Sequence, residues 1–145
     1  MSSKALAVAA WEALVRAQVS VFREISLHFP SENMSSNEYD VLFNLSRMPH
    51  RRARIRDLNP RLVLTQPSVS RLIDRLVARG FVCKETDPSD GRGTIVQLTE
   101  DGFNAFRSEA VVHSARIHDR VGSALTDDEL RTLARLCDKL RPEGQ

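Results

Sequence analysis

The segment from residue 65 to residue 81, TQPSVSRLIDRLVARGF, contains side chains that suit contact with bases and phosphates. Glutamine and arginine can form paired hydrogen bonds to adenine and guanine edges, while serine and threonine hydroxyls bind bases or phosphates. Apolar residues lie between them at helical spacing, namely Val69, Leu72, Ile73 and Leu76. The pattern predicts a helix that packs through its apolar stripe and turns a polar, basic face outward.

This helix is predicted to begin at Thr65, with Pro67 in its first turn, and to end before Gly80. Its candidate contact residues are Thr65, Gln66, Pro67, Ser68, Ser70, Arg71 and Arg75. The same face also fits an ordinary surface helix whose arginines are solvated. The segments on either side of this helix therefore have to be considered before a DNA-binding helix can be distinguished from an ordinary surface helix.

Basic charge is concentrated around this helix. Residues 46–92 contain 11 Arg and Lys against five Asp and Glu, whereas the rest of the chain contains 10 against 14. Nearly all of these basic residues are arginine, which binds phosphates and guanine edges in a fixed two-point geometry. The segment HRRAR at residues 50–54 adds Arg54 to the candidate contact residues. The charge distribution favours a polyanionic partner over a solvated charged face.

Two long helices and a short one are predicted before this segment. The first spans residues 4–29 and carries an apolar stripe at helical spacing. A capping box of Ser35 and Glu38 opens the second helix, and the third spans residues 55–62. Pro60 is compatible with the third helix only if that helix begins late enough to leave the proline in its first turn.

After the basic helix, the apolar pattern changes to a period of two. Residues 81–86 and 94–98 are predicted strands, joined by the turn-rich sequence DPSDGRG into a β-hairpin with a basic tip. Thr99 opens a long fifth helix, and a capping box of Thr126 and Glu129 opens a sixth.

Two short helices followed by a basic hairpin predict a winged helix-turn-helix, in which the second helix of the pair enters the DNA major groove. The predicted fold class is therefore mainly α with a small β-wing. A single domain is predicted, with a DNA-binding lobe of about residues 36–98 and helices of about residues 4–30 and 99–141 outside it.

Two stretches of the chain resemble the MarR family of dimeric winged-helix transcription regulators: IRDLNPRLVLTQPSVSRLIDRLVARGFV and DPSDGRGTIVQLTEDG. The most specific pieces are SRLIDRLVARG and the pattern D-x-R…LT-x-x-G, formed by Asp90, Arg92, Leu98, Thr99 and Gly102. The family commonly has D-R-R in the wing, and Gly91 stands here in place of the middle arginine. The resemblance implies that Arg92 enters the minor groove and that Asp90 holds it in place.

The resemblance also implies a homodimer formed by the first, fifth and sixth helices, acting as a repressor on a pseudo-palindromic operator in double-stranded DNA. Wide apolar faces on the first and last helices support the dimer independently, because a small winged lobe cannot cover them. A twofold dimer is the assembly that matches a pseudo-palindrome.

By the same resemblance, a small aromatic acid or phenol would bind between the dimer helices and the winged lobe and release the DNA. The candidate contact residues for this effector are Trp11, Arg16, Tyr39, Phe43 and His113. Trp11 and His113 lie on apolar stripes, and Arg16 can pair with a carboxylate. Each of these residues also fits an ordinary place in the core or on the surface.

Two other functions remain open. A thiol-based redox regulator would use Cys83 in the first wing strand, because an adduct there would disturb the wing. Cys83 and Cys137 also fit packed, inert positions. A helical scaffold that binds only protein would not need the basic middle segment, and a DNA-binding test separates it from a regulator.

Enzymatic activity, cofactors and metal ions are not predicted. The four histidines lie apart, and the sequence contains no metalloprotease, phosphate-loop or serine-hydrolase motif. The sequence has no long uncharged apolar run that would predict a membrane span, and no secretory signal is recognised. Two cysteines in such a chain fit a reducing, cytoplasmic location.

Overall fold

The computed structural model describes residues 2–29, 31–63 and 69–142. Its helices are α1 (Ser3–Ile25), α2 (Ser36–Arg47), α3 (Ile55–Leu58), α4 (Val69–Ala78), α5 (Glu100–Ile117) and α6 (Asp127–Leu140). Its strands are β1 (Arg52–Arg54), β2 (Val82–Asp87) and β3 (Asp90–Leu98). The predicted fold class, mainly α with a small β-wing, is confirmed.

α2 forms the centre of the core. It begins with the predicted capping box: the N–H of Glu38 donates to Ser35 Oγ at 3.1 Å, and the N–H of Ser35 donates to Glu38 Oε1 at 3.0 Å. Val41, Leu42 and Leu45 of α2 are fully buried. Around them pack apolar side chains from α3, α4 and the strands, including Leu58, Leu72, Ile73, Leu76, Val82, Val96 and Leu98. This core fixes α4 and the wing relative to α2.

The third helix is shorter than predicted. It is α-helical only from Ile55 to Leu58 and continues as a 3₁₀ turn over Asn59–Arg61. Pro60 has no N–H to donate to the carbonyl of Arg56, so the α-helical hydrogen bonds cannot continue past it. The helix begins at Ile55, as predicted, so Pro60 does not lie in its first turn, and the α-helix ends before the proline instead.

The end of α4 follows the prediction. Gly80 has a φ of 77°, its N–H donates to the carbonyl of Val77 at 2.9 Å, and the N–H of Phe81 donates to the carbonyl of Leu76 at 3.0 Å. These two bonds form a Schellman motif, which favours glycine because other residues are strained at this φ. The predicted helix start at Thr65 lies outside the described residues.

The wing is the predicted antiparallel hairpin, formed by β2 and β3, but its loop is shorter than expected. Asp87 pairs with Asp90, which leaves Pro88 and Ser89 as the turn and places Arg92 within β3. Local turn preference assigned all of DPSDGRG to the loop, whereas pairing across the hairpin keeps its last residues in the strand.

A third strand was not predicted. β1 lies within HRRAR and pairs antiparallel with β3, so the strand order is β1-β3-β2. Its central residue, Ala53, is buried, and the arginines on either side are half-buried. Three residues are too short to show an alternating pattern, and this segment becomes a strand because the edge of β3 lies beside it.

The helices outside the core leave much apolar surface exposed. α1 and α6 contain no buried residue, and the exposed fractions of Trp11 and Leu140 are 64% and 70%. α1 is also long and apolar enough to cross a membrane by length and composition alone, although no membrane span was predicted. This is weak evidence, because an amphipathic helix that packs on a partner meets the same criterion.

Candidate nucleic-acid interface

A groove lies between the wing, the start of α3 and the exposed side of α4. It has a volume of about 360 Å³ and is lined by Arg54, Ile55, Arg56, Ser70, Asp87, Asp90, Arg92, Gly93 and Thr94. This set contains four of the predicted contact residues: Arg54, Ser70, Asp90 and Arg92. It also contains Arg56, which sequence reasoning missed and whose only signal was its place in the basic middle segment.

Arg54 lines this groove but is bound to the wing. Its Nε lies 2.5 Å from Asp87 Oδ2, and its Nη2 donates to Ser89 Oγ at 2.9 Å. The Asp87 side chain is 2% exposed, so Arg54 supplies the positive charge that a buried carboxylate requires. Arg54 therefore joins β1 to the tip of the wing, a role that a charge count cannot distinguish from DNA contact.

Asp87 is the buried carboxylate of the wing and was not among the predicted residues. The N–H and the hydroxyl of Ser89 both donate to Asp87 Oδ1, at 2.9 and 2.8 Å. These hydrogen bonds, assisted by the charges of Arg54 and Arg56, lower the pKa of Asp87 although burial opposes them. A Cβ at Gly93 would lie 3.2 Å from the Asp87 Cβ, so a glycine fits beside the buried side chain.

Asp90 and Arg92 lie at the exposed end of β3. Asp90 Oδ1 accepts from the backbone N–H of Arg92 at 3.1 Å, and Asp90 Oδ2 lies 4.0 Å from Arg56 Nη1. Asp90 therefore holds the backbone of Arg92, while the Arg92 guanidinium makes no hydrogen bond or ion pair with any described residue. An exposed guanidinium on a short hairpin can approach a narrow DNA groove or a phosphate.

The outward face of α4 is polar and basic, as predicted. Ser70, Arg71 and Arg75 are exposed, while the opposite stripe is buried. Ser70 lines the groove beside the wing, whereas Arg75 lies farther along the helix, next to Arg79. The remaining predicted contacts lie outside the described residues: Thr65, Gln66, Pro67 and Ser68.

Arg79 joins the end of α4 to the start of α2. Its Nη1 donates to Glu38 Oε2 at 2.8 Å, its Nη2 donates to the carbonyl of Asn33, and its guanidinium lies 4.6 Å from the centroid of the Phe81 ring. Burial by itself raises the pKa of Glu38, but the hydrogen bonds from Ser35 and Arg79 outweigh it and lower that pKa. Arg79 is therefore a structural cation rather than part of the groove.

A cavity lies between α1, α2 and α5. It has a volume of about 320 Å³ and is lined by Phe22, Ser26, Phe29, Ser36, Tyr39, Asp40, Phe43, Arg47, Val63, His113, Ser114 and Ile117. Three predicted effector residues line it, namely Tyr39, Phe43 and His113. Trp11 and Arg16 are exposed on α1 and do not line it. The arginine at this cavity is Arg47, which sequence reasoning missed because it lies at the polar end of α2.

The cavity wall is largely aromatic. The Tyr39 ring centroid lies 5.0 Å from that of His113 and 6.3 Å from that of Phe43, and the Arg47 guanidinium lies 5.0 Å from the Phe43 centroid. Burial raises the pKa of Tyr39, which keeps its phenol protonated. Burial, followed by nearby positive groups, lowers the pKa of His113, so its imidazole is neutral at neutral pH.

The cysteines lie away from both of these sites. Cys83 is exposed on β2, and Cys137 is half-buried on α6; neither forms a disulfide within the described chain. Among the described residues, no group of three or more histidine, cysteine or acidic side chains is arranged to hold a metal ion.

Comparisons with known proteins agree with this geometry. Residues 32–93 match the family model described as MarR family. The chain is 33% identical over 75 residues to "Multiple antibiotic resistance protein MarR" of Escherichia coli strain K12, a match that covers 52% of each protein. The chain thus spans about half the length of this curated relative.

Two solved structures share the architecture. Sco3205, a MarR family transcriptional regulator from Streptomyces coelicolor solved in complex with DNA, has a TM-score of 0.76 at 24% identity, covering 100% of this chain and 93% of that one. The PcaV transcriptional regulator from Streptomyces coelicolor, in complex with its natural ligand, has a TM-score of 0.70 at 25% identity, covering 88% of each chain. Over residues 32–93 this chain is therefore similar to the MarR family, and it shares the winged-helix fold of these regulators.

Proposed function

We propose that this protein is a cytoplasmic, DNA-binding repressor that acts as a homodimer on a pseudo-palindromic operator. The observation that carries this proposal is the groove in which Arg54, Arg56, Ser70 and Arg92 converge beside the exposed face of α4. One surface of this kind serves both a helix in the major groove and a wing arginine at the neighbouring minor groove. The DNA bound to Sco3205, which has the same fold, supports the same partner here.

Homodimerisation accounts for the apolar surface outside the core. The exposed large apolar side chains of the outer helices are Leu6, Val8, Trp11, Val19, Val111, Val112, Ile117, Leu133, Leu136 and Leu140. So many exposed large apolar side chains on the outer helices indicate an interaction site, and a twofold partner covers the same faces of both copies. The two α4 helices then enter successive major grooves about 34–36 Å apart.

The cavity between α1, α2 and α5 fits a small aromatic acid or phenol that releases the DNA. Its volume of about 320 Å³ lies at the lower end of the range for small-molecule sites. Aromatic rings can stack on such a ligand, and Arg47 can pair with its carboxylate. PcaV, which was solved with its natural ligand, supports an effector for this chain as well.

The cavity separates helices of the proposed dimer interface from the winged lobe, so that an occupant can release DNA without touching it. The occupant has only to bind more tightly to a dimer whose α4 spacing does not match the operator than to one whose spacing does. A tenfold shift in this equilibrium requires about 1.4 kcal/mol of differential affinity, which one charge-assisted hydrogen bond can supply.

Selection of bound DNA from a random pool tests the proposal. We expect a pseudo-palindromic site whose affinity falls with salt, with a log–log slope of about −0.9 for each phosphate that the protein neutralises. Failure to enrich any sequence, or binding that does not change between low and physiological salt, would contradict DNA-specific regulation and favour a protein-binding scaffold.

A further inference from the structure

Asp40 is a buried carboxylate that belongs to two parts of the molecule. It is 6% exposed, and it lines the cavity between α1, α2 and α5. Its Oδ2 accepts from the backbone N–H of Val63 at 2.8 Å, and its Oδ1 accepts from Asn44 Nδ2 at 3.0 Å. Val63 lies on the connection from α3 to α4 and also lines the cavity. One carboxylate therefore forms part of the cavity wall and holds the chain that leads to the DNA-reading helix.

The position of Val63 depends on this hydrogen bond more than on packing. Its side chain is 63% exposed, so little apolar contact holds it, whereas Leu58 and the buried stripe of α4 lie in the core. A hydrogen bond from a backbone N–H to a carboxylate is stronger than one between neutral groups, especially when the carboxylate is shielded from water. Loss of the Asp40 hydrogen bond therefore releases the backbone at Val63, from which the chain runs on to α4.

We propose that Asp40 is the positioning residue that couples the cavity to α4: it holds Val63 while its carboxylate is available, and it releases Val63 when a cavity occupant engages that carboxylate. The inference rests on the proposed function and specifies how its effector site is regulated. An occupant can compete with the Val63 N–H only by donating a hydrogen bond, as a phenol, an amide or a ring N–H does.

The geometry of α2 adds a second requirement for the occupant. Arg47 lies seven residues after Asp40, which is two helical turns, so both side chains project from the same side of α2 about 10 Å apart along its axis. One elongated occupant can therefore place an acidic group near Arg47 and a hydrogen-bond donor near Asp40. A simple carboxylate without a donor would bind near Arg47 and leave Val63 in place.

Amide hydrogen exchange of the full chain tests the positioning role without any ligand. In Asp40→Ala, we expect the amide of Val63 to exchange at least tenfold faster, and those of the first turn of α4 to follow. Core amides of α2, such as those of Leu42 and Leu45, should be unchanged. Asp40→Asn keeps one acceptor at the same place, so it should give a smaller change in the same direction, and it replaces the alanine variant if that one does not fold.

Glu38→Gln is the matched control, because Glu38 is a similarly buried carboxylate on the same helix that binds Arg79 instead of Val63. This variant should leave the Val63 amide unchanged. The proposal would be overturned by unchanged exchange at Val63 in both Asp40 variants, or by equal acceleration in Glu38→Gln.

A substitution that fills the cavity tests the coupling while the effector is unidentified. Ser114→Trp places a large ring in the cavity from α5, and Ser108→Trp places the same ring on α5 away from it. We expect Ser114→Trp to accelerate exchange at Val63 and to weaken binding to the selected DNA about tenfold, and Ser108→Trp to do neither. In the Asp40→Asn background, adding Ser114→Trp should change the Val63 exchange rate and the DNA affinity by less than a further twofold.

Equal effects of Ser114→Trp with and without Asp40→Asn would show that the cavity acts on DNA through another route, which would contradict the coupling. If the wild-type protein selected no DNA while the exchange results stood, the proposed function would fail and the positioning of Val63 by Asp40 would hold.

Discussion

At the residue scale, two of the three arginines that line the groove perform different tasks. Arg54 is held by Asp87 and Ser89, so it maintains the wing, whereas the Arg92 guanidinium has no partner among the described residues. Substitution of Arg54 is therefore expected to lower stability, whereas substitution of Arg92 is expected to lower DNA affinity.

Arg92→Ala should weaken binding to most DNA sequences without changing the thermal unfolding midpoint, because it removes one exposed cation that reaches the DNA backbone and minor groove. The magnitude of the log–log salt slope should fall by about 0.9 for each DNA phosphate that the variant no longer neutralises. Titrations of the selected operator at several salt concentrations measure both the affinity and the slope.

Arg54→Ala serves as the comparison, because it leaves the buried carboxylate of Asp87 without its cation. We expect the unfolding midpoint to fall and the wing amides to exchange faster. If Arg54→Ala left stability unchanged and reduced DNA affinity as Arg92→Ala does, then Arg54 would be a contact residue and its assignment to the wing would be wrong.

Arg47→Ala should reduce the release of operator DNA by an elongated aromatic acid that carries a phenol at its far end, because Arg47 is the arginine that lines the cavity and can pair with a carboxylate. Loss of this pair should weaken the effect about tenfold, with DNA affinity in the absence of this acid nearly unchanged. Arg16→Ala is the matched control on α1. Equal release of DNA from the wild type and both variants would show that Arg47 does not pair with the carboxylate of the effector.

At the element scale, α5 begins against the backbone of the α4–β2 turn. The side chain of Thr99 caps α5 by accepting from the N–H of Gly102 at 3.0 Å, and its hydroxyl donates to the carbonyl of Gly80 at 2.6 Å. A Cβ at Gly102 would lie 2.0 Å from the carbonyl oxygen of Phe81 and 2.9 Å from Leu98 Cδ1. The first turn of α5 therefore packs as closely as a glycine allows.

Gly102→Ala should destabilise the protein by about 3 kcal/mol or more, because the nearest atoms that it meets are backbone and cannot move away by changing a rotamer. Gly91→Ala is the control, since nothing lies within 4 Å of a Cβ at that position, and it should change stability by less than about 0.5 kcal/mol. Urea unfolding measures both, and similar values for the two variants would contradict the close packing at Gly102.

The ion pair between α2 and the end of α4 should make stability depend on pH. Because the pKa of Glu38 is lower in the folded protein than in the unfolded chain, its contribution is complete above the unfolded pKa and is lost as pH falls through the folded pKa. Arg79→Met should cost about 1–2 kcal/mol at pH 7, since Arg79 is about a third exposed, and progressively less in acid. Unfolding in urea from pH 7 to pH 3 measures this difference.

Arg75→Met is the control for this pH dependence, because Arg75 lies one turn before Arg79 on α4 and is exposed. Its cost should be small and independent of pH. A loss in Arg79→Met that stayed constant down to pH 3 would show that the contribution of Arg79 comes from its contacts with Phe81 and the Asn33 carbonyl rather than from Glu38.

At the scale of the whole molecule, the outer helices determine the proposed assembly. Leu136→Glu places a charge on the exposed apolar side of α6 in both copies of a twofold dimer. The dissociation constant of the dimer should rise on the order of a hundredfold, because each copy loses a buried leucine and gains a desolvated charge. Operator affinity should fall with it, since one lobe alone reads half of the site.

Sedimentation velocity across protein concentrations measures the dimer, and circular dichroism checks that the winged lobe remains folded. Arg135→Glu, on the opposite side of the same helix, introduces a glutamate without touching the apolar face and should leave the dimer intact. A wild-type chain that sediments as a monomer while binding its operator tightly would contradict the dimer.

The sequence by itself determined the elements whose signals are local. Capping side chains at Ser35, Thr99 and Thr126, and a stop at Gly80, mark helix ends through hydrogen bonds that span only a few residues. The helical period of α4 and the two-residue period of the wing strands follow from backbone geometry. Together with the winged-helix motifs, these local signals were sufficient to predict the fold class and to indicate the resemblance to the MarR family.

Only the tertiary structure decided which residues meet. β1 exists because the edge of β3 lies beside it, and the choice between Asp87 and Asp90 as the buried carboxylate depends on how the hairpin packs on Arg54. The cavity contains Arg47 and Asp40 in place of the predicted Arg16 and Trp11, because the packing of α2 against α5 determines its walls. Contacts between residues distant in sequence leave no periodic pattern, and for that reason these pairings became visible only in the folded chain.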